Sequence, residues 1–271
     1  MRDQLYDHCH FRLSELEHRY GPEVHLLSNP FLLTQLATLC AKETTQPAIN
    51  RLVALLYTDL VKTFINVELP HKPAAIPTRM IDQHPLAVFQ GEVIDPAVRV
   101  VTVNIARAGT LPSQVTYDLL NQLLDPRLVR QDHIVMARQV DEGHRVIGSQ
   151  IFGSKIGGDV DDAFLLFPDP MGATGGSMVE AIQWYKDKVS GHPRRIVTLN
   201  LIVTPEYLRR VRASHPEVVI YALRLDRALS PPDVLASVPG THWDRERGLD
   251  DRQYIIPGGG GFGEIMNNSY V

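Results

Sequence analysis

Residues Asp169-Pro170-Met171-Gly172-Ala173-Thr174-Gly175-Gly176-Ser177 set an acid before a run of small and hydroxylated side chains. Glycines let a backbone approach a ligand closely, and successive N–H groups at a helix start cradle an anion. Thr174 and Ser177 add hydroxyl donors. The composition suits a phosphate, although no lysine stands where a Walker loop needs one. A second segment, Val103-Asn104-Ile105-Ala106-Arg107-Ala108-Gly109-Thr110, places one arginine among small residues. A guanidinium fork matches phosphate oxygens. A third segment carries G-x-G-x-x-G at Gly258, Gly260 and Gly263. It is not a dinucleotide fingerprint, because eight residues follow Gly263 and the motif needs a helix and a second strand after it. Its four successive glycines read as backbone laid against a flat ligand. Taken singly, the three also read as a strand-to-helix turn, a surface arginine and a glycine loop.

The elements that must position these segments alternate in type. A buried strand at 163–167 leads into Asp169, and a helix at 176–188 follows the loop. A β-branched run at 98–105 ends at Arg107, followed by helix at about 112–124 and strand at 133–136. Strand 195–203, helix 205–213 and strand 218–223 complete the series. Such alternation predicts an α/β fold with a mostly parallel sheet covered on both faces. Open parallel sheets bind ligands at the carboxyl ends of their strands. The first 70 residues read as helical: a surface helix at 12–18, a second opened by Asn29 and Pro30, and a third at 47–67. Residues 70–96 read as loop and irregular strand, 225–250 as an insertion or hood, and 254–271 as a short strand followed by glycines.

The 271 residues are 44% hydrophobic and 21% charged, as in globular chains, which excludes disordered and coiled-coil classes. Lys plus Arg is 27 against 31 Asp plus Glu, a net charge of -4, so a broad nucleic-acid surface is not expected. Cys9 and Cys40 cannot build a disulfide framework and suit a reducing compartment. Residues 1–11 lack the apolar core of a signal peptide, and the longest apolar runs fall far short of the roughly 20 residues that span a bilayer. The expectation is a cytoplasmic protein with no membrane partner. His8, Cys9 and His10 are adjacent on a predicted helix and cannot converge on one ion, so no protein-held metal is expected. Asp159, Asp161 and Asp162 read as a solvated loop, and Trp184 and Tyr185 as packing residues.

Together the three segments resemble the uracil phosphoribosyltransferase family. That family's Asp-Pro-Met-Leu-Ala-Thr-Gly-Gly-Ser loop corresponds to residues 169–177, with Gly172 for Leu. Its Leu-Arg-Ala-Gly corresponds to residues 106–109, and its Tyr-Ile-Ile-Pro-Gly-Leu-Gly-Asp tail to the segment from Tyr254. The resemblance implies a phosphoribosyltransferase-type parallel sheet with a hood. It implies a domain over 24–271, with a helical extension at 1–23 and an insertion at 225–247. It implies transfer of a phosphoribosyl group from phosphoribosyl pyrophosphate to uracil, giving UMP and pyrophosphate with Mg2+, by a homodimer. The alternatives are another base, or a non-catalytic sensor of a nucleotide or phosphoribosyl compound. By resemblance, Asp169 faces the ribose hydroxyls and residues 173–177 wrap the 5′-phosphate. Arg107 and Arg138 hold pyrophosphate, Asp169 and Arg107 are the catalytic residues, and Ile255, Gly260, Gly261 and Phe262 meet the pyrimidine. Pro170, Met171, Gly172, Ala173, Thr174, Gly175, Gly176 and Ser177 complete the phosphoribosyl side. Gly261 stands where the family has an Asp on that side, and Glu264, in place of another family Asp, is not expected to replace it.

Overall fold

The computed structural model describes residues 10–140 and 146–270, with residues 137–140 and 146–149 described by backbone alone. His8 and Cys9 lie outside the described residues. The chain enters through β1 (Val24–Leu26) and turns at Asn29, whose side chain accepts from the Leu32 N–H at 3.1 Å. Pro30 then starts α1 (Pro30–Leu39), a position where its missing N–H costs nothing. The long α2 (Ala48–Glu68) follows. It buries Val53, Leu56, Leu60, Val61 and Phe64 in one stripe, the helical period expected of an amphipathic segment.

The central elements are β4 (Val100–Ile105), α3 (Thr110–Leu123), β5 (Val129–Val140), β6 (Val146–Lys155), β7 (Phe164–Pro168) and β8 (Met171–Gly172). After them come α4 (Gly176–Lys188), β9 (Arg195–Val203), α5 (Pro205–Ser214) and β10 (Val219–Leu225). Among the described residues the main sheet has eight strands in the order β1-β10-β9-β7-β4-β5-β6, with β8 on β9. Every pairing is parallel except β5 with β6. Because side chains alternate across a strand, β7 sends Phe164 and Leu166 to one core, with α1 and α2, and Leu165 and Phe167 to the other, with α4 and α5. Two-sided burial explains the continuous apolar runs.

The boundaries of α4 and β9 fall where the sequence places them. Other expectations need correction. Residues 12–18 form no helix; Glu15 bridges Leu27 and the Leu16 N–H donates to Leu26 O. Leu13 packs on the core while Leu16 is exposed, so this stretch never presents a helical face. Residues 70–96 are not loop with irregular strand but an antiparallel ribbon of β2 (His71–Pro77) and β3 (Val88–Ile94), in register from His71 with Ile94 to Pro77 with Val88. Its prolines hid it, and a two-stranded ribbon is all edge, where proline is tolerated. β5 runs well past 133–136, and its partner β6 was not expected. After the single-turn α6 (Pro232–Leu235), the tail makes one bridge, Ile255 with Leu249, and then the single-turn α7 (Phe262–Ile265).

Candidate functional site

Pro168 removes an N–H from a sheet position, and its surroundings explain why that is tolerated. The Asp169 N–H turns toward β9 and donates to Leu199 O at 3.1 Å, so position 168 faces β4. The β4–β7 ladder has already ended at Thr102 with Leu166. The two strands part there, and a cavity of about 760 Å³ opens between their carboxyl ends.

All three chemistry-bearing segments reach this cavity. From β4 come Ala106 and Arg107; from β7 and its loop come Asp169, Met171, Ala173, Thr174, Gly175, Gly176 and Ser177; from the tail come Ile255, Gly260, Gly261 and Phe262. Two expected residues stand behind the lining. Pro170 accepts from the Leu201 and Ile202 N–H groups through its carbonyl, and Gly172 is buried against Tyr207 and Val203. Arg138 lies in β5 with its backbone paired to Ser149, but its side chain is outside the described residues.

Asp169 is held from several sides. Its Oδ1 accepts from the Met171 N–H at 3.1 Å, and Asn200 Nδ2 donates to its carbonyl at 2.7 Å. Asn200 Oδ1 in turn accepts from the Tyr207 hydroxyl at 3.2 Å. Buried Tyr57 donates to Leu199 O at 3.0 Å. Burial first, with Asp169's charge adding to it, pushes the Tyr57 hydroxyl well above its ordinary value. Burial raises Tyr207 likewise. Both stay neutral donors beside the acid. The phosphate-type loop turns at Gly175, φ +76°, a left-handed position that suits glycine. A Cβ there would meet Tyr207 O at 3.3 Å. Thr174 Oγ1 accepts from the Gly176 N–H at 3.4 Å as α4 begins.

Arg107 also has positive φ, +80°. Its Nη2 donates to Ser269 O at 3.0 Å and faces Glu264 Oε1 at 3.4 Å. The glycine segment is pinned to the end of β10. Buried Asp226 pairs with Arg224 at 2.6 Å and accepts from the Gly258 N–H at 2.8 Å, while Arg224 donates to Gly258 O at 3.0 Å.

Sequence reasoning missed Arg224, Asp226, Asn200, Tyr207 and Arg210. The signal for Arg210 was its place one residue before Val211 and three after Tyr207, both buried in α5, which sets it at the edge of the inward face. Trp243, in the segment read as an insertion, does not line the cavity; its Nε1 donates to Pro205 O at 3.0 Å.

A family model described as uracil phosphoribosyltransferase matches residues 26–245. The chain is similar to the uracil phosphoribosyltransferase of Rhodococcus jostii, 27% identical over 249 residues, covering 90% of this chain and 97% of that protein. It is similar to that of Saccharomyces cerevisiae, 28% identical over 243 residues, with coverages of 89% and 94%. Among solved structures, the AQ2163 protein of Aquifex aeolicus matches with a TM-score of 0.68 at 20% identity, covering 92% of this chain and 99% of that one. That likeness concerns the fold.

Proposed function

This chain belongs to the uracil phosphoribosyltransferase family, and from that premise we propose that it transfers a phosphoribosyl group from phosphoribosyl pyrophosphate to uracil, releasing UMP and pyrophosphate. The observation that carries the reading is the convergence of the Arg107, Asp169–Ser177 and glycine-tail segments on one cavity.

Displacement at the anomeric carbon develops positive charge on the sugar and expels an anion, and it needs no protein nucleophile. It needs alignment, cationic partners for the leaving group and exclusion of water. Asp169 is assigned to the ribose hydroxyls, and the N–H and hydroxyl donors of the loop at 173–177 to the 5′-phosphate. Arg107 and Arg138 are assigned to pyrophosphate, with Arg107 exchanging Glu264 for the ligand. Backbone groups at Ile255, Gly260 and Phe262 are assigned to the pyrimidine edge, which alternates acceptor and donor. Magnesium would be held mainly through the pyrophosphate, with Asp169 and Glu264 the carboxylates that line the cavity near it, and it would offset charge on the departing pyrophosphate. Family membership also supports a homodimer, and the lack of a disulfide framework supports a cytoplasmic setting.

The test is conversion of radiolabelled uracil, cytosine, adenine and hypoxanthine to nucleotides with phosphoribosyl pyrophosphate and magnesium. UMP formation from uracil alone is expected. Tight binding of phosphoribosyl pyrophosphate without turnover of any base would replace the transferase reading with that of a nucleotide sensor.

A further inference from the structure

Three arginines, Arg209, Arg210 and Arg212, stand on α5, and they do different things. Arg209 donates to Trp243 O and Arg212 to Pro216 O, so both are satisfied by backbone carbonyls away from the cavity. Arg210 lines the cavity, and it makes no hydrogen bond or ion pair with the described residues. Its guanidinium lies against the start of α4. A Cβ built on Gly176 would meet Arg210 Nη1 at 3.2 Å and Nη2 at 3.5 Å, and a Cβ on Gly175 would meet Arg210 Cβ at 3.4 Å. Two successive positions without side chains therefore let the fork lie flush on the loop backbone.

Four charged residues line the cavity: Arg107, Asp169, Arg210 and Glu264. Arg107 faces Glu264 at 3.4 Å. Arg210 stands over Gly176 and forms no ion pair with the described residues. A guanidinium presents planar paired donors that a phosphate monoester can accept two at a time. Backbone N–H groups alone carry only partial charge. A phosphate held between this fork and the Thr174–Ser177 backbone would be met by a full cation from α5 and by N–H donors from α4.

We propose that Arg210 binds the 5′-phosphate of the phosphoribosyl group, and that it sets the preference of this site for phosphorylated over unphosphorylated sugars. The inference rests on the transferase reading of the cavity and adds a residue to it. Arg210 acts on the phosphate common to substrate and product, whereas Arg107 is assigned to the pyrophosphate that only the substrate carries. Their loss therefore separates in ligand space.

The experiment is titration calorimetry of wild type, Arg210→Ala, Arg210→Lys and Arg107→Ala with UMP, uridine and phosphoribosyl pyrophosphate. Melting curves first establish that each variant is folded. Arg210→Ala is expected to weaken UMP and phosphoribosyl pyrophosphate alike, by roughly 10- to 100-fold, the range of a charge-assisted contact. Uridine affinity is expected to stay unchanged. Arg210→Lys is expected to recover part of the loss, and raised salt to narrow the gap between wild type and Arg210→Ala. Wild type that binds UMP normally while Arg210→Ala matches it would overturn the assignment and leave the transferase reading standing. An equal loss of uridine would also overturn it, since uridine carries no phosphate. Wild type that binds neither UMP nor phosphoribosyl pyrophosphate would overturn the reading of the cavity and this assignment with it.

Discussion

Glu264 fills the space that a side chain on Gly261 would take: a Cβ built on Gly261 would lie 2.1 Å from Glu264 Oε2. The other oxygen of the same carboxylate faces Arg107 Nη2 at 3.4 Å. The backbone of Gly261, φ -81° and ψ 93°, is open to any residue, so what a side chain there meets first is the far end of the flexible Glu264 side chain, which has to move aside. Where the family pattern sets an acid at 261, the carboxylate of Glu264, rooted three residues later, thus lies close to that position.

Gly261→Asp alone should therefore lower phosphoribosyl pyrophosphate affinity and uracil turnover. Two like charges would compete for one position, and Glu264 would have to leave the place from which it faces the Arg107 guanidinium. Gly261→Asp combined with Glu264→Gly should recover activity, because one carboxylate then remains near Arg107. Steady-state kinetics of the single and double variants decide the matter; a single variant as active as wild type would refute the crowding.

Arg107 separates backbone strain from side-chain chemistry. A non-glycine residue at φ +80° carries strain of about 1–3 kcal/mol. Arg107→Gly relieves it and Arg107→Ala does not, so the glycine variant should melt above the alanine variant. Both should lose far more affinity for phosphoribosyl pyrophosphate than for UMP. Equal losses for the two ligands would point to a contact other than pyrophosphate.

The sheet was legible because its strands are buried on both faces and carry continuous β-branched and aromatic runs, as at 164–168 and 195–203. The phosphate-type loop was legible because its composition is local. What escaped depends on residues brought together from far apart. Asp226 holds Gly258, and Arg210 lies over Gly176, through pairings that no local pattern encodes. The closeness of Glu264 to Gly261 was not legible either, because it depends on the turn of α7, which folds one back over the other.

Gly172 shows the same limit. Leu would be the family residue there, and the space is taken by the Tyr207 ring, 3.0 Å from where a Cβ would stand. Gly172→Leu should destabilise by about 1–3 kcal/mol through overpacking, lowering the melting temperature by roughly 2–4 °C per kcal/mol in a domain of this size. Gly172→Leu with Tyr207→Ala should be more stable than Gly172→Leu alone. If adding Tyr207→Ala lowers stability further instead, the two sites do not share this volume.

His18 gives the protein a pH-dependent increment. Its ring stacks on Tyr20 with centroids 5.7 Å apart, and its Nδ1 accepts from the Tyr20 N–H at 3.3 Å. Burial, the largest influence, lowers its pKa. The unfolded chain, with an imidazole near about 6.5, then takes up a proton more readily than the folded one. Stability is fully present above that value and is lost as pH falls below it. Melting curves from pH 7.5 to 5.5 should drop less steeply for His18→Asn than for wild type; parallel curves would exclude His18 as a source.

The segments before β1 and after β10, both read as additions to a family core, hold one another. Buried Glu246 accepts from the Tyr20 hydroxyl, from Arg227 Nη1 at 2.9 Å and from the Gly240 N–H at 2.8 Å. The Arg19 N–H donates to Pro239 O at 2.8 Å, and Tyr20 meets Trp243 edge-on at 5.0 Å. Removing one partner from a buried charge leaves the other uncompensated, so Glu246→Ala should cost about 3–5 kcal/mol. Tyr20→Phe removes one neutral donor and should cost about 1–3 kcal/mol. Neither residue lines the cavity, so Tyr20→Phe should keep its uracil turnover at 25 °C while losing it at a lower temperature than wild type on heating. In a Trp184→Phe background Trp243 is the sole tryptophan, and its emission should shift to the red in Tyr20→Phe before the main unfolding transition. An emission change that coincides with global melting in both proteins would mean that the two segments unfold with the core and add no separate clasp.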